Sequence, residues 1–356
     1  MGASDRPNGE VAVTLDPGDM VEQRTLLVHD QSVESPKDTV SGEVAGKSPT
    51  QIALGRLRKD KVAVVCSVIL LLLVLTAIFG PYLVKQAGLY WDISDPNAPT
   101  QSEVLDFDGY PKVGPPFHPF TWEHPLGVAP RVGYDNLAYL VNGLRTSLIV
   151  AFVATLVSTL LGLALGLMAG FSRGWADRII SFVTDLFLAL PFLLMMLALA
   201  PIIVSRFPDP DTLKWAQLFA LMSVLILFGW MGLARLIRGQ VLSLREREFI
   251  LAAEVIGVPT RQILFKELLP NLIAPIVVSI SLGLPAFVAF EAGLSFLGLG
   301  LTGIPSLGKM VADATPFYAD YGLYLWMPVG VITVLTLSLN LLGDSIRDAF
   351  DPRTRR

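Results

Sequence analysis

Two acidic residues inside apolar runs are the first side chains in this chain whose type and position could do chemistry. Asp185 lies about two turns into one run, and Glu291 lies near the end of another. An isolated charge in a bilayer costs several kcal/mol, so each carboxyl must face a partner, water or the interior of a bundle. Asp185 is a candidate pore-lining or gate residue, although a helix cap or a helix-to-helix hydrogen bond is favoured at its shallow depth. Glu291 either touches a substrate or fixes a bend, and the bend is favoured.

Residue patterns of known enzymes are missing from the sequence. It contains no Gly-x-x-x-x-Gly-Lys-Ser/Thr string for ATP phosphates and no His-Glu-x-x-His, and we find no nucleophile and base at matched depth. His118 and His124 flank a Pro-rich stretch with one carboxylate, Glu123, which is a weak metal pattern. The single cysteine, Cys66, is expected to be a buried small hydrophobe. We therefore predict no catalytic residue, no metal and no cofactor held by this chain.

Residues 239–271 form a polar interruption that still has a helical pattern. Phe249, Ala252, Ala253 and Ile256 stand at i, i+3, i+4 and i+7, and the other face is Arg and Glu. This stripe is too narrow for a membrane span, so something else must cover it. A partner protein is one candidate, and the lipid surface or the chain's own bundle is the other.

The limits of two short helices can also be read from this stretch. Gly257 is a C′ stop for the first helix, and Pro259 prevents that helix from continuing. Thr260 is expected to cap the second helix, which ends before Pro270 starts the next apolar block.

The spacing in this stretch resembles the cytoplasmic signature of binding-protein-dependent ABC importer permeases. That signature is Glu-Ala-Ala, three residues, Gly, nine residues, Ile, one residue and Leu-Pro. Leu251 stands in place of the Glu, and Glu267 in place of the Ile. The positions that match are Ala252, Ala253, Gly257, Leu269 and Pro270.

Two further strings narrow the resemblance to the C-type permease of dipeptide/oligopeptide importers. They are residues 291–300 and 340–353. The resemblance implies that the loop docks in a groove on an ATPase subunit. The coupling residues it implies are Arg247, Phe249, Leu251, Ala252, Ala253, Ile256, Gly257, Leu269 and Pro270.

The same resemblance implies the rest of the assembly. We expect a second, B-type permease, two ABC ATPase subunits that use ATP and Mg²⁺, and an extracytoplasmic peptide-binding protein. The expected substrate is a peptide, with small metal chelates as the other possibility within the family. The expected location is the bacterial inner (plasma) membrane, with lipid around a multi-pass chain.

Composition independently places the chain in a membrane. Of its 356 residues, 53% are hydrophobic and 16% are charged, and the mean hydropathy is +0.58. The net charge of -4 gives no basic surface for nucleic acid. Six apolar runs are long enough to cross about 30 Å of hydrocarbon. They are residues 62–84, 146–170, 179–204, 217–237, 272–297 and 323–343.

Basic residues set the orientation of these runs. Arg56, Arg58, Lys59 and Lys61 precede the first run, and arginines dominate residues 235–266 and the end of the chain. The positive-inside rule then predicts that both termini are cytoplasmic. Five regions follow: a disordered extension at 1–50, the basic cluster and first helix at 51–84, an extracytoplasmic loop at 85–143, a five-helix core at 144–347 and a cytoplasmic tail at 348–356.

Glycines and prolines mark helix contacts and helix breaks or kinks within the apolar runs. Gly162, Gly166 and Gly170 form a small-xxx-small face for another helix of this chain or for a second permease. Pro191 and Pro285 are expected to break or kink their helices and are pathway or gate candidates together with Asp185 and Glu291.

We therefore predict an all-α membrane protein with six transmembrane helices in a type I ABC importer permease arrangement. It would form half of the pathway of an ATP-driven peptide importer, with ATP hydrolysed by partner subunits. The alternative is a self-contained secondary transporter or channel. That class predicts internal repeats and deep charged pairs, and the sequence shows neither clearly.

Overall fold

The structure is a computed structural model that describes residues 49–116, 118–172, 174–207, 209–301 and 303–350. The predicted extension at 1–50 and tail at 348–356 lie almost entirely outside the described residues. Within the described part the chain is helical, and two isolated β-bridges are its extended pairings. The α-helices are α1 (Pro49–Leu57), α2 (Lys61–Gln86), α3 (Gln101–Val104), α4 (Asn136–Phe171), α5 (Trp175–Ala189), α6 (Phe192–Arg206), α7 (Pro210–Arg245), α8 (Glu248–Val255), α9 (Thr260–Gln262), α10 (Leu269–Asn271), α11 (Ile273–Leu294), α12 (Leu307–Ala314) and α13 (Gly322–Phe350).

Among the residues that the structure describes, five helices, rather than the predicted six, are long and apolar enough to cross a membrane. They are Lys61–Gln86, Asn136–Phe171, Thr212–Arg245, Ile273–Leu299 and Gly322–Phe350. The first of them buries Cys66, as predicted.

The predicted run at 179–204 is two helices of 15 residues each, α5 and α6. They separate at Leu190 and Pro191, whose ψ values of 131° and 104° are extended. A proline disfavours the helical conformation in the residue before it, which is the physical cause of this break. The predicted break at Pro191 is therefore confirmed.

Pro285 behaves differently, because α11 continues through it. Of the two predicted outcomes, a break or a kink, the break does not occur at Pro285. Proline has no N–H for the carbonyl of Ser281, four residues earlier. Gly343 of α13 packs at that carbonyl, since an added Cβ would lie 3.1 Å from the Ser281 oxygen. A neighbouring helix therefore packs closely at the point where the hydrogen-bond ladder is interrupted.

The small-residue stripe of α4 packs against α7 of the same chain. A Cβ added at Gly162 would lie 2.7 Å from the Trp230 carbonyl oxygen. A Cβ added at Gly166 would lie 2.7 Å from the Cβ of Ile237. Gly170 continues the same contact one turn later. The stripe therefore packs against another helix of the same chain, which is one of the two predicted uses.

The ends of the long helices lie at two opposite ends of the bundle. We call the end that carries residues 246–272 the loop end and the opposite one the far end. Ser345 near the end of α13 donates to Asp60 before α2, at 2.6 Å. Arg56 of α1 donates to the Ala349 carbonyl, at 3.4 Å. Because Gly343 contacts the first half of α11, both described chain ends lie at the loop end.

Candidate functional site

Helix α8 ends in a Schellman motif at Gly257. This residue has φ 84°, and its N–H donates to the Glu254 carbonyl at 3.1 Å. The N–H of Val258 donates to the Ala253 carbonyl at 3.0 Å. These are the two hydrogen bonds that define the motif. No atom would lie within 4 Å of a Cβ at this position, so glycine is needed for its backbone conformation alone.

Most apolar side chains of α8 and its C-terminal end point away from the bundle. The exposed fractions are 45% for Phe249, 45% for Leu251, 87% for Val255 and 80% for Ile256. Ile250 is the fully buried residue of the helix. Three of the four residues of the predicted stripe, Phe249, Ala252 and Ile256, are therefore exposed, and Val255 and Leu251 widen this apolar surface.

The other predicted coupling residues surround this surface. Arg247 is exposed and precedes α8, where its carbonyl accepts the N–H groups of Ile250 and Leu251 at 3.0 and 3.1 Å. Ala252 and Pro270 are exposed, whereas Ala253 and Leu269 are half-buried. The predicted loop at 239–271 is shorter than expected, because α7 continues to Arg245.

The second short helix is not capped by Thr260. Pro259 occupies the N-cap with its fixed φ of -60°, and its carbonyl already accepts the first helical hydrogen bonds. Thr260 therefore enters as the first helical residue and makes no capping hydrogen bond with its side chain. A π-helical turn, Ile263–Leu268, follows and buries both of its end residues.

An apolar cluster fixes this loop to the transmembrane helices. Its members are Leu167, Leu233, Ile237, Val241, Ile250, Ile263, Leu268 and Leu272. They come from α4, α7, α8 and the segment that precedes α11. Fully burying a residue of this size stabilises by about 1.5–3 kcal/mol. The loop is therefore a packed unit with an exposed apolar face.

Two arginines of α7 contact the residues on either side of the turn between α4 and α5. Arg245 donates to the Gly170 and Phe171 carbonyls at the end of α4, at 3.3 and 3.4 Å. Arg238 makes two parallel bonds to Asp177, with Nε–Oδ1 at 2.6 Å and Nη2–Oδ2 at 3.0 Å.

Asp185 forms the remaining contact in this region, an ion pair with Arg235. Both side chains are well exposed, at 66% and 60%. The favoured interpretation of Asp185, a contact between two helices, agrees with this geometry. Sequence reasoning missed its partner, although Arg235 and Arg238 are three residues apart and thus share one helix face.

Glu291 lies in a buried network at the far end. Its carboxylate oxygens accept from the Ser147 hydroxyl at 2.7 Å and from the Ser295 hydroxyl at 2.9 Å. The backbone N–H of Leu307 donates to the Ser147 hydroxyl at 3.2 Å, and the Ser306 hydroxyl donates to that of Ser295 at 3.4 Å. The network joins α4, α11 and α12 and leaves Glu291 with no exposed surface.

The glycine-rich exit from α11 is bent, as predicted. A π-helical turn, Ser295–Leu299, contains Gly298 with φ 81°. The chain then returns as α12, where a Cβ added at Gly308 would lie 2.5 Å from the Cα of Ala292. Backbone contact at this distance requires glycine, so the bend and the Glu291 network together fix α12.

Tyrosines attach the predicted extracytoplasmic loop to the start of α13. The hydroxyls of Tyr134 and Tyr324 are hydrogen-bonded, and Tyr321 donates to the Pro115 carbonyl at 2.9 Å. Asn136 donates to the Tyr321 hydroxyl at 3.0 Å. Burial raises the pKa of Tyr134 and that of Tyr321, so both hydroxyls remain protonated.

The two loop histidines have different surroundings. The Nδ1 atom of His124 lies 2.9 Å from Oδ2 of Asp135, whose other oxygen accepts the Ala138 N–H at the start of α4. His118 and Glu123 are exposed. Over the described ranges no three His, Cys, Asp or Glu side chains are grouped closely enough to hold a metal ion.

Residues 162–356 match the family described as binding-protein-dependent transport system inner membrane component. Residues 48–100 match the N-terminal TM domain of oligopeptide transport permease C. The chain belongs to this permease family. It is accordingly a membrane permease subunit of an ABC importer, and ATP hydrolysis belongs to separate subunits.

Curated relatives of the permease align over most of their length. The oligopeptide transport system permease protein OppC of Bacillus subtilis is 31% identical over 85% of this permease and 90% of its own chain. The dipeptide transport system permease protein DppC of Alkalihalophilus pseudofirmus is 32% identical over 93% and 98%. A chain of the solved methionine ABC transporter MetNI, in an inward-facing conformation, aligns over 60% of this permease and 96% of itself, with 20% identity and a TM-score of 0.48.

Proposed function

We propose that this permease forms one half of the translocation pathway of an ATP-driven dipeptide or oligopeptide importer. Relatives named for oligopeptide and dipeptide transport support the substrate class. We further propose that residues 246–271 couple the permease to an ATPase subunit. The observation that carries this is the apolar face of α8, because a large exposed apolar surface on a firmly packed base indicates a protein contact.

The proposal assigns each remaining component of the importer to a partner. ATP and Mg²⁺ are used by two ATPase subunits, and a B-type permease completes the pathway. An extracytoplasmic binding protein delivers the peptide. The chain itself holds no nucleotide, because its sequence has no phosphate-binding loop.

Six membrane crossings with both termini in the cytoplasm fit the course of the chain. The Asp177–Arg238 pair supports a start of α5 at the loop end. Helix α6 ends at Arg206, shortly before α7 begins at Pro210 on the far end. Together α5 and α6 therefore make one interrupted crossing between the two ends. Arginine-rich segments at the loop end support a cytoplasmic position for it.

The arginines of α7 provide a physical route from the loop to the bundle. Movement of α8 acts on α7 through the shared apolar cluster. Arg245 and Arg238 then act on the end of α4 and the start of α5 by charged hydrogen bonds, which are stronger than neutral ones. Asp185 and the break at Pro191 lie farther along this route and remain our gate candidates, with Pro285 and Glu291 on α11.

Charge placed on the exposed face of α8 tests the coupling proposal. Ile256→Asp should abolish co-purification of the ATPase subunits, because burying an unpaired carboxylate in an interface is costly. Phe107→Asp is the matched control, since Phe107 is fully exposed on the far-end loop. The amount of inserted permease is measured for both variants. An Ile256→Asp variant that keeps its ATPase partners at wild-type occupancy would refute the coupling role.

A further inference from the structure

A cavity of about 460 Å³ opens at the far end between α4, α7 and the segment 303–305. Its volume is in the range of small-molecule sites, roughly 300–1,000 Å³. Polar and aromatic side chains stand among its apolar walls. They are Trp91, Asn142, Arg145, Thr146, Lys214 and Trp215.

Arg145 is an exposed cationic side chain of this cavity that can contact a ligand. It shares one face of α4 with Asn142, Thr146 and Ile149, which also line the cavity. It makes no hydrogen bond or ion pair with any residue that the structure describes. A guanidinium is always charged, and beside apolar walls its charge is stabilised by water or by an anion.

We propose that this cavity binds the C-terminal carboxylate of the transported peptide, with Arg145 as the residue that contacts it. This inference rests on the proposed peptide import. The planar guanidinium matches a carboxylate with two parallel hydrogen bonds. Lys214, which also interacts with another group of the protein, lines the α7 side of the same cavity. The site thus recognises a group that every unmodified peptide carries.

Neighbouring side chains suit the peptide backbone that precedes this carboxylate. Asn142 donates its side-chain N–H to the Ala138 carbonyl at 2.8 Å, which directs its Oδ1 atom to accept another N–H. The rings of Trp91 and Trp215 offer apolar surface to side chains without selecting among them. A permease built in this way accepts many sequences and leaves the choice of peptide to the binding protein.

The cavity is open on one side, but segments outside the long helices contribute to its walls, and this favours a peptide over a lipid phosphate. Segment 303–305 forms one wall, and the next residue, Ser306, belongs to the fixed Glu291 network. Trp91 closes another side from the loop that precedes α4. A second cavity of about 570 Å³ shares Trp91 and the 303–305 wall. The two cavities therefore adjoin the same side chains at the far end.

Uptake of one tripeptide in two forms tests the proposal. Proteoliposomes hold the complete importer with its ATPases and binding protein, and the tripeptide carries either a free C-terminal carboxylate or an amide. Wild-type permease gives the reference ratio, which includes the preference of the binding protein. Arg145→Gln should lower uptake of the free acid about tenfold or more and leave the amide unchanged, because it removes charged hydrogen bonds.

Two further variants complete the design. Arg145→Lys retains the charge but not the planar fork, so its uptake of the free acid should be intermediate. Arg206→Gln removes an exposed arginine at the end of α6, outside the cavity, and should leave the ratio at the wild-type value.

The possible results separate this inference from the function on which it rests. Equal loss of both peptide forms in Arg145→Gln, with ATP hydrolysis still stimulated by the binding protein, overturns the carboxylate site but not peptide import. An effect that follows the anionic lipid content of the vesicles assigns Arg145 to a lipid phosphate and also overturns it. Failure of the wild-type permease to import either form overturns both proposals.

Discussion

Gly257 shows most directly how one residue type follows from the backbone. Its φ of 84° lies in the left-handed region, which costs a residue with a Cβ roughly 1–2 kcal/mol. Gly257→Val should therefore disorder the end of α8 and lower ATP-dependent uptake several-fold while the permease still inserts. Gly257→Asn is the matched variant, because asparagine tolerates this conformation, and it should retain most of the uptake. Wild-type uptake by the valine variant would count against a rigid coupling loop.

Glu291 allows a similar separation of structure from chemistry. Glu291→Gln keeps a side-chain oxygen for one of the Ser147 and Ser295 hydroxyls and can donate its amide N–H to the oxygen of the other, whereas Glu291→Ala leaves both hydroxyls without an acceptor. An unsatisfied buried polar group costs about 1–3 kcal/mol, so only the alanine variant should show a clear loss of thermal stability in detergent. Peptide uptake should be near normal in the glutamine variant. If that variant is stable but inactive, the carboxyl contacts the substrate or moves a proton.

At this scale the sequence could supply residue types but not their partners. It predicted the stop at Gly257 because a single glycine in a helical pattern has few other uses. It indicated that Asp185 needs a partner, because a charge in an apolar run must be compensated. It could not name Arg235, which lies 50 positions away in the chain. That pairing depends on how two helices pack.

Helices α5 and α7 are linked by two ion pairs that differ in burial, and this difference makes them a test of the proposed route. In the Asp177–Arg238 pair the side chains are 24% and 35% exposed, and the Asp185–Arg235 pair is about two-thirds exposed. Asp177→Asn should raise the ATP consumed per peptide imported and leave ATPase co-purification intact. Asp185→Asn is the control with a smaller effect, because exposed ion pairs contribute only about 0–1 kcal/mol. Equal effects of the two variants would argue against a route through Arg238.

Helices and helix breaks could be predicted where the residue types of a short segment alone determine them. Long apolar runs give five of the helices, and Pro191 gives the break in the remaining run. The cap at Thr260 was predicted wrongly because Pro259 satisfies the same backbone groups one residue earlier. Helix α11 continues through Pro285, and Gly343 of another helix packs at the Ser281 carbonyl there, a contact that local sequence does not reveal.

Across the whole molecule the sequence could not decide which surfaces are covered. The stripe of Gly162, Gly166 and Gly170 was equally suited to α7 and to a second permease until the packing was known. Ile250 of α8 is buried and Ile256 at its C-terminal end is exposed. The orientation of α8 on the apolar cluster decides which of these side chains is covered. Tertiary packing determines which apolar surfaces are covered. Only the structure therefore shows which part of a hydropathy pattern is a candidate interface.

The orientation of the molecule in the membrane gives a final prediction. The proposed ATPase contact at α8 and the proposed peptide cavity at the far end must lie on opposite sides of the membrane. Cys66 is the single cysteine of the sequence and is buried. The Cys66→Ala variant therefore provides a protein without a native thiol, into which single cysteines can be introduced. A membrane-impermeant thiol reagent added to intact cells should label Phe107→Cys at the far end and spare Ile256→Cys at the loop end. Permeabilised cells should also label Ile256→Cys, and added ATPase subunits should protect it, since the proposed interface covers this position. Labelling of Ile256→Cys from outside would show that the topology is the inverse of the proposed one and would exclude ATPase coupling through α8.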